Sequence, residues 1–265
     1  MKLRGVARYR PGLITLLVAW LVVVGAAAPA GADPADLTHG DELYRSGQIR
    51  DARTAYRAAL AAHPGEFAAL CRLSRVESEL GEDTRGEEQR QLVAAAVEHA
   101  RAAVKVAPDS AQGHVWLAVA LGRQALKEGP KTRLALSREI KSEVDRAIAL
   151  DPGIGRAYHV RAIWNRKLAT LNLFERGVAN TVLGGVPKGA SMENAVRDLQ
   201  KAIDLEPGYV NHHLELGRTF MELKRWPEAR RELEKAHTLP PTSSPRDARY
   251  QNEARNLLSR IPATR

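Results

Sequence analysis

Eight histidines and one cysteine are the side chains of this 265-residue chain best suited to ligate a metal or carry a nucleophile. Their spacing argues against both. His39, His63, His99, His114, His159, His212, His213 and His237 form no HExxH pattern, and Cys71 has no second cysteine with which to build a zinc set. His212 and His213 are neighbours, so on a helix they point about 100° apart and cannot share an ion as an i, i+4 pair can. The stretch Gly184-Gly185-Val186-Pro187-Lys188-Gly189 gathers glycines around a lysine. It lacks the spacing, the Lys-Ser/Thr ending and the preceding strand of a phosphate loop. No G-x-S-x-G elbow is present. The residues indicate no enzyme, no metal and no cofactor, and Cys71 reads as a buried structural thiol.

The elements that position these residues announce themselves by repetition. AIALDPG at 147–153 returns as AIDLEPG at 202–208. Each copy is an apolar helix end closed by Pro-Gly. An alanine followed five residues later by proline recurs as Ala59/Pro64, Ala103/Pro108, Ala147/Pro152, Ala202/Pro207 and Ala236/Pro241. These prolines are 44, 44, 55 and 34 residues apart. The last interval is the length of a tetratricopeptide repeat. The others fit the same unit with insertions between its two helices. In the unit without insertion, counted from Val210, Leu216, Gly217, Phe220, Ala229, Leu233, Ala236 and Pro241 supply the small and large residues the repeat requires. Gly40, Ala52, Tyr56, Ala59 and Pro64 do so in the first unit.

The pattern predicts an all-α, tetratricopeptide-like α-solenoid of about five helix pairs, with units near 33–64, 67–108, 111–152, 155–207 and 210–241. A capping helix follows at 245–261. Its apolar stripe is Ala248, Ala254, Leu257, Leu258 and Ile261. Thr84-x-x-Glu87 and Ser244-Pro245-x-Asp247 read as N-terminal capping boxes, Ser191 as the cap of the helix from Met192, and Pro227 as a helix opener.

Residues 1–32 stand apart. Lys2, Arg4, Arg8 and Arg10 precede the 12-residue apolar run LITLLVAWLVVV and the small-residue stretch GAAAPAGA. This is the order of a signal peptide, cleaved after Ala32 or after Ala30. The run is short of the roughly 20 residues needed to span a bilayer as an anchor. The expected mature chain has no transmembrane segment and is exported, to the periplasm or beyond the cell. It carries 36 Lys and Arg against 31 Asp and Glu, a net charge of +5, with both signs interleaved along helices. That disfavours nucleic acid as a partner. One cysteine makes no internal disulfide, so the exported fold rests on its core.

GHVWLA (113–118), ALKEGPKTRLALSREIKSEVDRAIALDP (125–152), the long stretch 164–209 with Phe174-Glu175-Arg176 inside it, and ELKRWPEARRELEKAHTLPP (222–241) resemble the regulator of microtubule dynamics family. The resemblance spans about residues 40–262. It implies an all-helical repeat domain with a non-enzymatic binding role. The export signal departs from that family, so the resemblance carries over the fold and not the microtubule as partner. In repeats of this class, positions 2, 5, 9 and 12–13 face the concave groove. Here they hold Arg75, Arg123, Arg156, His159, Arg166, Lys167, Asn211 and Arg218, with Leu214 and Met221 between them. Such a basic groove suits an acidic or C-terminal peptide held by bidentate arginines. The expected function is an exported scaffold or adaptor that binds a protein or peptide there. The alternative is a carrier or sensor of an apolar ligand such as lipid, using Leu171, Leu173, Phe174, Val178, Val182 and Leu183 of the 167–190 insertion.

Overall fold

The computed structural model describes residues 34–172, 177, 185, 187–242 and 244–262. The signal segment 1–32 and Leu173, Phe174, Val178, Val182 and Leu183 of the insertion lie outside them. The described residues form eleven α-helices and no strand. These are α1 (Pro34–Arg45), α2 (Ile49–Ala62), α3 (Phe67–Asp83), α4 (Gly86–Val106), α5 (Ala111–Ala125) and α6 (Pro130–Leu150). They continue with α7 (Gly155–Ala169), α8 (Met192–Leu205), α9 (Val210–Glu222), α10 (Trp226–Thr238) and α11 (Asp247–Leu258). The described residues belong to one compact unit.

Helices pack as successive antiparallel partners, α1 with α2 through α9 with α10, and each second helix also meets the first helix of the next pair. The first helices touch one another in a row, α3 to α5 to α7 to α9, and α9 meets α11. That row is the inner wall of an α-solenoid. Alanine dominates the pair contacts: Ala52, Ala96, Ala147, Ala202 and Ala229 are fully buried. Small residues let the backbones approach, and Tyr56, Leu73, Leu121, Leu199 and Leu233 fill beside them.

Gly217 shows how tight the fit is. A Cβ built there would stand 2.6 Å from Leu233 Cγ, a fully buried side chain. Gly40 meets the Tyr56 ring in the same register. Alanine would bring up to about 1 kcal/mol of helix propensity, against an overpacking cost of about 1–3 kcal/mol. Gly217→Ala is therefore expected to lose roughly 1–2 kcal/mol by chemical denaturation. A stabilised variant would mean that the α9–α10 contact is looser than its geometry.

Several boundaries differ from the sequence reading. The extra residues of the second and third units do not form loops: they lengthen α4 and α6 to 21 residues each. Thr84 does not cap α4. Its hydroxyl donates to the Leu80 carbonyl and so closes α3, while Gln89 Nε2 donates to the Gly81 and Thr84 carbonyls. Pro245 precedes α11, and Asp247 accepts from the backbone N–H and hydroxyl of Thr242. Ala248 is exposed, and Ala254 and Ile261 carry the buried stripe. Ser191 does cap α8, accepting from the Asn194 N–H at 3.0 Å.

Helix α11 makes a contact that no repeat pattern contains. Arg246, 4% exposed, donates to Asp83 Oδ2 at 2.6 Å, to the Glu79 carbonyl and to Glu82. Arg249 pairs with Asp83. These acids end α3, 163 residues earlier in the chain. The row of first helices therefore curves until its last member returns to the second pair.

Candidate functional site

The inner wall divides the eight groove candidates into those held by acids and those left without one. Arg166 is buried. Its guanidinium donates to the Glu215 carbonyl and Thr219 Oγ1, both at 3.0 Å, and pairs with the Glu215 carboxylate. Arg218 is taken up by Glu215 and Glu253, and Arg123 by Glu82. These three arginines are internal ties and present no free fork to a ligand. Leu214 is fully buried and forms core, not groove. Lys167 is exposed and Asn211 half-buried, and neither lines a cavity described below.

His159 also turns inward. Its Nδ1 lies 2.9 Å from Nδ1 of His212, whose Nε2 is 3.2 Å from Glu206 Oε2. With Nε2–H donating to that carboxylate, neutral His212 accepts at Nδ1 from His159 Nδ1–H. Tyr209 packs edge-on against His212 with centroids 4.7 Å apart. His213 diverges to Glu232 at 2.9 Å, as adjacent helical positions must. Among the described residues, no group of three or more His, Cys, Asp or Glu is placed to hold a metal.

Burial first, and the neighbouring imidazole second, hold His159 well below its ordinary pKa. Burial lowers His212 too, with Glu206 opposing and Arg156 and His213 assisting. Both groups are then neutral in the folded state where the unfolded chain begins to protonate. Their contribution to stability is complete above about pH 6.5 and declines as pH falls through the lowered folded values. The slope is at most about 1.4 kcal/mol per pH unit for each ring. Thermal unfolding between pH 7 and 5 is expected to fall more steeply for the wild type than for His159→Asn. Parallel curves would remove the buried pair as the cause.

Arg75 and Arg156 differ from the rest. Among the described residues, neither guanidinium has a hydrogen bond or an ion pair, and Arg75 Nε is a buried donor without an acceptor. Arg75 lies over the Tyr44 ring, 3.8 Å from its centroid. Arg156 lies between Trp116 and Tyr209, 5.1 Å from each. Aromatic faces stabilise a guanidinium while leaving its in-plane N–H groups unused. Arg75 lines a cavity of about 420 Å³ with Asp41, Tyr44, Arg72, Gln112 and Trp116. Arg156 lines a second, of about 540 Å³, with Ser110, Asp151, Glu206 and the same Gln112 and Trp116. The two cavities therefore share a wall on α5.

Glu79 sits behind this wall. Its Oε1 accepts from the Tyr44 hydroxyl at 2.9 Å, and its Oε2 is buried without a partner. Burial raises its pKa against the pull of Arg75, Arg246 and Arg156. Cys71 borders the smaller cavity, but burial pushes its thiol up to about 12, which makes it unreactive.

The aromatic partners were missed in the sequence. Trp116 lies within the first helix α5 and Tyr209 just before the first helix α9, and the arginine between them comes from a third, α7. Gln112, which lines both cavities, was not among the groove candidates either.

Comparison with known proteins places the family and the fold. The sequence model of the family described as regulator of microtubule dynamics protein 1-3 matches residues 36–262. Regulator of microtubule dynamics protein 1 of Mus musculus is 29% identical over 226 residues, covering 84% of this chain and 73% of that one. Protein 3 of the same species is 30% identical over 226 residues, 83% of this chain and 47% of that one. Among solved structures, a tetratricopeptide-repeat protein of Thermus thermophilus superposes with a TM-score of 0.64 at 21% identity, over 85% of this chain and 98% of its own. PilW, a type IV pilus biogenesis factor, gives 0.51 at 17% identity, over 85% and 91%.

Proposed function

The chain belongs to the regulator of microtubule dynamics protein 1-3 family, and from that premise we propose that it is an exported, non-enzymatic scaffold whose inner wall binds a protein or peptide partner. The observation that carries the reading is the pair of arginines without a salt bridge among the described residues, each packed against an aromatic ring and each lining a cavity. Arg72, Arg123, Arg166 and Arg218 of the wall are tied to carboxylates, and Arg45 at the smaller cavity donates its Nε to the Asp41 carbonyl, which leaves Arg75 and Arg156 with their side-chain donors unused. The tetratricopeptide-like fold supports a protein-interaction role. The relatives are named as regulators of microtubule dynamics. An exported chain meets its partners outside the cytoplasm, so we do not assign microtubules. The basic segment, apolar run and small-residue stretch of residues 1–32 support export. Charged and polar residues line both cavities, which favours a peptide over the apolar-ligand alternative.

Crosslinking pull-down from the cell envelope tests this reading. A partner held by the wild type and by Lys167→Glu, and released by Arg75→Glu and Arg156→Glu, is the expected result. Equal recovery by all four proteins would place binding elsewhere on the solenoid.

A further inference from the structure

We propose that the two cavities around Trp116 receive a single carboxylate of the partner peptide, held between the guanidinium groups of Arg75 and Arg156. This deepens, and rests on, the scaffold reading above.

Three observations identify the ligand chemistry. The first is a contrast within one wall. Arg72 is held by Asp41, Arg123 by Glu82, Arg161 by Asp198, and Arg166 and Arg218 by Glu215. Arg75 and Arg156 alone among these retain their full set of N–H donors, one of them buried. A buried donor without an acceptor is costly, and an incoming carboxylate accepts from two N–H groups of one fork at once.

The second is the rim. Asp41 borders the smaller cavity, Asp109, Asp151 and Glu206 border the larger, and Glu79 lies within electrostatic reach of both arginines. This density of negative charge repels a dianion more than a monoanion, which favours carboxylate over phosphate. The third is the shared wall. Gln112 is exposed there and offers an amide donor and acceptor to a peptide backbone, and Trp116 offers a ring beside the charge. Together the cavities have the size of a pocket for one or two residues.

The carboxylate could belong to a C-terminus or to an internal Asp or Glu, and the test separates these. Three pools of randomised heptapeptides are offered to the purified protein, and retained peptides are counted by mass spectrometry. One pool has free C-termini and no internal acid. The second is amidated with one internal Asp or Glu. The third is amidated and acid-free. We expect at least one acid-bearing pool to be retained about tenfold over the neutral pool. That retention should fall about tenfold in Arg75→Gln and Arg156→Gln, stay unchanged in Lys167→Gln, and recover in part in Arg156→Lys. Thermal unfolding confirms that each variant is folded. Removal of the like charge by Glu79→Gln is expected to increase retention. Equal retention of the neutral pool would overturn the carboxylate and leave the scaffold reading standing. No retention of any pool would overturn both. Displacement by inorganic phosphate at lower concentration than by acetate would assign the site to a phosphate instead.

Discussion

Arg166→Ala is expected to lower stability by about 3 kcal/mol, the lower end of the range for removing one partner of a buried ion pair. The Arg166 and Glu215 side chains are 6% and 9% exposed, so Glu215 would be left charged in a site from which water is excluded. Arg218 still reaches Glu215, which keeps the loss at the lower end. The same substitution also removes a donor from the Glu215 carbonyl and from Thr219 Oγ1, although these two stay bonded to each other at 2.7 Å. Replacing both partners, Arg166→Met with Glu215→Leu, is expected to lose much less than the sum of the single changes, because no buried charge remains. Additive losses in urea denaturation would show that the pair is not coupled.

The pH profile supplies an independent check on that pair. Burial raises the Glu215 carboxyl, but Arg166, Arg218 and His159 overcome it and hold the group at about 2. A carboxyl depressed in the folded state contributes stability above its unfolded value near 4.3 and loses it as pH falls through the folded value. The wild type should therefore lose this contribution between about pH 4.3 and pH 2, and Arg166→Ala should lose less across that window. The carboxylate loss begins near pH 4.3, below the pH of about 6.5 at which the histidine contribution starts to decline.

Arg246→Ala is expected to cost about 2 kcal/mol. Arg246 is buried, but its partners Glu82 and Asp83 have side chains 22% and 43% exposed, and water will partly replace the lost bonds. Arg123 still holds Glu82, and Arg249 still holds Asp83. The distinguishing readout is local. Amide exchange should accelerate in α11 and in the last turn of α3, which are far apart in sequence and share this contact. Acceleration confined to α11 would mean that the return contact does not restrain α3.

The repeat architecture was legible because each unit ends its second helix alike and because Gly40 and Gly217 admit only a close neighbour. Helix lengths were less legible. Ten extra residues read as an insertion can equally extend a helix, as they do in α4 and α6. Thr84 misled because its hydroxyl can serve either the helix behind it or the one ahead, and here it donates to the Leu80 carbonyl. At the site, repeat position indicated which residues face inward and could not say which are already bonded. The partners of Arg123 and Arg166 come from other helices: Glu82 lies 41 residues away and Glu215 lies 49. Only the Arg218–Glu215 tie, three positions apart on α9, was visible as a helical neighbour. The same limit hid the stacking of Arg156 between Trp116 and Tyr209.

The return of α11 to α3 fixes how many units the chain can hold. An open array of helix pairs can gain or lose a unit at little cost, since each unit meets only its neighbours. Here Arg246 and Arg249 must arrive opposite Glu82 and Asp83, and one more pair of helices would carry them past. The count is a closed frame and not an open string. Its C-terminal end is also tied by charged side chains to α3, a restraint that the end of a linear array lacks.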